Sequence, residues 1–195
     1  MGYKKDENVK TEILEHALKL FQQFGLKKTT MDEIAESCGK AKSTLYHYFK
    51  SKEEVFEDVI ELELKQLRIK VKECVDKASS LQDKLTTYIL VFNKEMQNRL
   101  NVYRLVHHDI KDGKIIQEQF NKMMTFEKSY ITRILEDGYD IGEYKDINKE
   151  DIPVFAELML AAFLGIIRYS IETDNGYDQD KLEIATKVLI PQIYK

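Results

Sequence analysis

Lys42, Ser43, Tyr46 and His47 share one outer face of a short segment, about 42 to 49, if that segment is helical and turns Leu45 and Phe49, four residues apart, inward. An ammonium there can donate to guanine acceptors, a hydroxyl can donate or accept, and the two rings add hydrogen bonds and flat contact. A face of this kind suits base edges and phosphate oxygens. Other chemistry finds less support. The tandem His107-His108, followed by Asp109, suggests a metal. Neighbouring helical residues point in different directions, however, and no second ligand cluster is near, so a surface or pocket polar role is expected. Cys38 and Cys74 lie far apart without metal-ligand spacing, which fits a reducing, cytoplasmic compartment without disulfides. No G-x-S-x-G, P-loop, H-E-x-x-H or Gly-rich nucleotide signature occurs, and no nucleophile stands beside an evident base. Neither an enzyme nor a cofactor is expected.

The elements that must position this face are helices. Two prolines and eight glycines punctuate 195 residues otherwise rich in Lys, Glu, Leu, Ile and Met. From Lys10 to Phe24 the residues Ile13, Leu14, Ala17, Leu18, Phe21 and Phe24 recur at three-to-four spacing, and Gly25 is placed to end the helix. Thr30-Met31-Asp32-Glu33 matches a capping box, and Met31, Ile34, Ala35 and Cys38 continue as one apolar stripe up to Gly39, which permits a sharp reversal. After the short third helix, Ser51 can cap a fourth over 52 to about 78, with Phe56, Ile60, Leu64, Leu67, Val71 and Val75 as its seam. Further helices are expected at 81–98, 100–109, 113–137, 151–173 and 178–194, about nine in all, with a loop from Gly138 to Asn148. The longest wholly apolar run, Leu158 to Ile167, is too short to span a bilayer, and no membrane partner is expected.

Two short helices joined by a glycine-containing turn, the second with an exposed polar and aromatic face, form the plan that presents a helix to a major groove. Charge agrees: residues 1–52 carry ten lysines against seven carboxylates, whereas 53–195 carry twenty Lys and Arg against twenty-seven. The run from Thr29 to Glu54, TTMDEIAESCGKAKSTLYHYFKSKEE, resembles the DNA-binding segment of TetR-family regulators, a likeness covering about residues 8–56. The resemblance implies an all-α fold: a three-helix helix-turn-helix domain over 1–52, then a helical ligand-binding and dimerisation domain over 53–195. It directs Lys42, Ser43, Tyr46 and His47 towards the groove and Thr30, Thr44, Tyr48 and Lys52 towards phosphates. Lys40 departs from the pattern, in which a small aliphatic follows the turn glycine and packs inward.

The same resemblance implies a homodimer on operator DNA, usually as a repressor, released by a small-molecule effector of unknown identity. For the dimer interface the candidates are Phe155, Leu158, Ala162, Gly165, Tyr169 and Val188, on two apolar helices that can pair with their symmetry mates as a four-helix bundle. For an effector pocket they are Tyr88, Phe92, Met96, Tyr103, Phe120, Met123, Met124 and Tyr130, apolar and pliable groups that equally fill any helical core. A helical interaction protein that no longer reads DNA is the other reading.

Overall fold

The computed structural model describes the backbone of residues 2–109, 114–144, 147–172 and 179–194, and their side chains except at 2–5, 100–109, 114–117, 120, 164, 166–168, 170–172 and 179. The described residues form eight α-helices: α1 (Gly2–Lys28), α2 (Met31–Ser37), α3 (Lys42–Tyr48), α4 (Lys52–Val75), α5 (Leu81–Asp109), α6 (Lys114–Asp140), α7 (Ile152–Glu172) and α8 (Gln179–Leu189). Short 3-10 turns cover Lys149–Asp151 and Ile190–Ile193. Helix α5 is continuous where the sequence reading placed two helices; no glycine or proline between 81 and 109 interrupts its backbone ladder. Two compact units result, Met1–Lys65 with Arg99–Gln119 and Gln66–Asn98 with Phe120–Lys195.

The first unit is built on the apolar stripes read from the sequence. Ile13, Leu14, Ala17 and Phe21 of α1 are buried, as are Met31, Ile34, Ala35 and Cys38 around α2, Leu45 and Phe49 around α3, and Phe56 and Ile60 of α4. Phe21 and Phe56 meet edge to face, their centroids 5.4 Å apart. Gly25 leaves helical geometry with φ 80° and ψ 164°, so Phe24 turns outward and one further turn follows before α2. In the second unit Leu67, Val71 and Val75 of α4 are buried, with Leu85, Tyr88, Ile89 and Phe92 of α5, Met123, Ile131 and Leu135 of α6, and Ala156 and Leu160 of α7. Helix α7, nearly all apolar in sequence, is not buried all round: Val154, Leu158 and Tyr169 are 57–63% exposed. On α8, Ile184, Val188 and Leu189 are similarly open.

Candidate nucleic-acid interface

The turn that sets α3 against α2 is specified residue by residue. Thr30 caps α2: its hydroxyl accepts from the Glu33 N–H at 3.2 Å, and Glu33 Oε2 accepts from the Thr30 N–H at 2.8 Å, a complete capping box. At the other end Gly39 takes φ 62°. Its N–H donates to Glu36 O, and that of Lys40 to Ala35 O, both at 2.9 Å, which closes a Schellman motif. A residue with a Cβ is strained at that φ, which is why glycine stands there. Lys40 keeps the turn packed although it is no small aliphatic, because its ammonium reaches Glu12 Oε2 of α1 at 2.8 Å. The same contact, a hydrogen bond first and charge second, lowers the Glu12 pKa.

With Leu45 and Phe49 0–1% exposed, α3 leaves Lys42, Ser43, Tyr46 and His47 on its outer side, all four exposed. Thr44 and Tyr48 are half-buried beside them. Lys42 Nζ sits 2.7 Å from Asp32 Oδ1 and 6.0 Å from the Tyr46 ring centroid, and the hydrogen bond to Asp32 raises its pKa. The His47 and Tyr48 rings stand edge to face at 5.2 Å. Three of the four residues directed towards phosphates have partners inside the unit. The Thr30 hydroxyl donates to Glu33 Oε2 at 2.9 Å, the Tyr48 hydroxyl donates to Asp6 Oδ1 at 2.8 Å, and Lys52 Nζ donates to the carbonyls of Leu26, Lys27 and Thr29 at 2.8–3.1 Å.

In the second unit, Tyr88, Phe92, Met96 and Met123 are buried, and Met124 and Tyr130 are half-buried. Tyr103, Phe120 and the His107-His108-Asp109 run fall outside the described side chains. Tyr88 stacks on Phe92 at 5.5 Å and lies 5.4 Å from Tyr130. Sequence reasoning missed the polar groups here. Glu127 of α6 is 2% exposed; its Oε2 accepts from the Tyr88 hydroxyl at 2.8 Å and its Oε1 from Arg68 Nε of α4 at 3.2 Å. The Arg68 guanidinium also lies 3.9 Å from the Phe126 centroid. Burial raises the Glu127 pKa against the pull of those two hydrogen bonds, and burial drives the Tyr88 phenol well up. Asn93 is fully buried: its Oδ1 accepts from Gln97 Nε2 at 2.9 Å while its own amide N–H groups have no partner. The available signal was position, since Glu127 and Asn93 occupy apolar-period sites of α6 and α5.

A buried-core trihelical unit with a capped, glycine-turned pair of short helices and an outward polar face is a helix-turn-helix DNA-binding module. The profile of bacterial regulatory proteins of the tetR family matches residues 13–59. The HTH-type transcriptional regulator YhgD of Bacillus subtilis (strain 168) is 32% identical over 159 residues, 80% of each chain. The HTH-type transcriptional repressor KstR2 of Mycolicibacterium smegmatis is 36% identical over 88 residues, 45% of this chain and 43% of its own. Among solved structures, a transcriptional regulator from Cytophaga hutchinsonii superposes with a TM-score of 0.75 at 24% identity, covering 94% of this chain and 97% of its own. The chain belongs to the TetR family of DNA-binding transcriptional regulators, which are not enzymes. No described helix is long and apolar enough to cross a membrane.

Proposed function

We propose that this chain is a repressor that binds a near-palindromic operator as a homodimer and is released by a small-molecule effector. Residues 1–52 read the DNA, and residues 53–195 dimerise and hold the effector. The observation that carries the reading is the outer face of α3, where Lys42, Ser43, Tyr46 and His47 are exposed above a fully buried Leu45. These four meet base edges, and Thr30, Thr44 and Tyr48 flank them towards phosphates. Repression is supported by the relation to KstR2, a transcriptional repressor.

The dimer is supported by the open apolar faces of α7 and α8. Leu158, Ala162, Gly165, Tyr169 and Val188 are exposed and Phe155 is half-buried. Apolar surface of this extent on two neighbouring helices in sequence favours a self-complementary partner. Two copies of α3 held about 34–36 Å apart meet successive turns of one groove, so pairing doubles the readable sequence. The effector reading is supported by the buried aromatic and Met cluster around Tyr88 and by Glu127 and Asn93 within the same unit. Such cores with a few polar fixtures suit small apolar molecules. An effector that favours one arrangement of these helices can change operator affinity by about 5–150-fold, reciprocally.

The test is selection of bound duplexes from a genomic pool by the purified protein, followed by affinity for the winner against salt. Recovery of a two-fold symmetric site, with Lys42→Ala and Tyr46→Ala relaxing its sequence preference, is expected. Enrichment of no sequence at any salt concentration, with the dimer intact, would remove the DNA-reading assignment.

A further inference from the structure

We infer that Lys52 positions the recognition helix and is not one of the groups that grip phosphate; the inference rests on the DNA-reading assignment above. The ammonium has three N–H donors, and three carbonyls take them: Leu26 O at 2.8 Å, Lys27 O at 3.1 Å and Thr29 O at 3.1 Å. Leu26 and Lys27 lie in the last turn of α1, past the break at Gly25, where helix carbonyls lack partners and the negative end of the helix dipole favours a cation. Thr29 immediately precedes the cap of α2, and Lys52 itself opens α4. One half-buried side chain therefore ties the end of α1, the start of α2 and the start of α4.

Helix α3 hangs between those tied points. It is joined to α4 by the elbow Phe49, Lys50 and Ser51, and that elbow is also held locally. The Lys50 N–H donates to Glu54 Oε2 at 2.6 Å and the Glu54 N–H to Ser51 Oγ at 3.2 Å. The local bonds fix the shape of the elbow. Lys52 ties the elbow to the ends of α1 and α2, beside the Tyr48–Asp6 and Lys42–Asp32 contacts of α3 itself, and so helps set the direction in which Lys42 and Tyr46 leave the unit. Turning the ammonium to a phosphate would strip these three carbonyls of its donors, which costs more than a solvated lysine would pay for the same contact.

The experiment is operator affinity against salt for the wild type, Lys52→Met and Lys52→Arg, on a duplex selected by the wild type and normalised to folded protein. Lys52→Met weakens binding on the order of tenfold at every salt concentration, the loss of one charge-assisted hydrogen bond, with the slope of log affinity against log salt unchanged. Lys52→Arg, which can cap the same carbonyls, restores affinity. A slope shallower by about 0.9 per subunit in Lys52→Met marks a phosphate contact and overturns the inference. So does undiminished affinity. If Lys52→Met does not fold, Lys52→Gln replaces it, and in the wild type the Lys52 ammonium resonances must stay protected from exchange and unmoved when duplex is added. If the wild type selects no duplex, the DNA reading fails instead. Lys52 is then judged in the free protein by whether Lys52→Met shifts the amide resonances of α3, which the inference requires.

Discussion

Replacing Glu127 by alanine leaves the Tyr88 hydroxyl, on a side chain with no exposed surface, without an acceptor and leaves Arg68 without its carboxylate. An orphaned buried hydroxyl costs about 1–3 kcal/mol, and the lost charged hydrogen bond adds less because Arg68 can turn to water. The expected total is about 3 kcal/mol, which for a chain of this size lowers the melting temperature by roughly 6–12 °C. Glu127→Gln keeps the shape and one acceptor, and its use lies in pH. Burial raises the folded pKa of Glu127 above its unfolded value, so the native state holds the extra proton between the two. The stability this carboxyl contributes is therefore fully present below the unfolded value of about 4.3 and is lost as pH rises through the folded one. Urea unfolding followed by circular dichroism should show wild type losing stability relative to Glu127→Gln as pH is raised from about 4 towards neutrality, then running parallel to it. A difference that is flat or grows with pH would refute burial as the dominant influence on Glu127, and Glu127→Ala melting within about 2 °C of wild type would refute the buried polar bridge between α4, α5 and α6.

Three other outcomes follow from the geometry. Thr30→Ala removes the side-chain half of the capping box and should cost about 1 kcal/mol, with amide exchange quickening first in α2. Gly138→Ala would set a Cβ 2.4 Å from the Tyr144 hydroxyl oxygen and 2.7 Å from Cζ, so Tyr144 must shift off Tyr194, whose ring centroid is 5.0 Å away. Thermal unfolding should report a loss of about 1–3 kcal/mol, recovered only in part by adding Tyr144→Phe because the ring carbon still clashes. Leu158→Lys, at a position 63% exposed in the single chain, should convert the proposed dimer to monomer in sedimentation velocity with its helical spectrum intact. A dimer that survives would move the interface away from α7.

The elements legible in the sequence were those set by local rules. Period alone located the buried seam of α4, and the capping box and Gly39 located both ends of α2, because each depends on residues at most five apart. The outward set on α3 followed from the inward pair Leu45 and Phe49 in the same way. Helix α5 was divided in expectation and continuous in fact, since sequence offers no stop signal there and the division had no breaker to rest on. On α7, a helix apolar nearly all round, composition does not tell one side from the other, and the packing of one chain shows that Val154, Leu158 and Tyr169 lie on the side left over.

What tertiary structure alone decided is how donors are spent. The resemblance directs Lys52 towards phosphates, and a lysine following a short helix carries no mark of the carbonyls 23 to 26 residues earlier that accept from it. Lys40 looked misplaced until Glu12 of α1 came within 2.8 Å of it, and Tyr48 was matched with Asp6 across 42 residues. Glu127, Arg68 and Tyr88 converge from three helices on a site that no spacing encodes. The sequence by itself determined helices, caps and faces, because these arise from backbone geometry repeated over a few residues. The pairing of side chains distant in the chain depends on how the helices pack, and that packing decided which polar groups are occupied and which remain free to meet a partner.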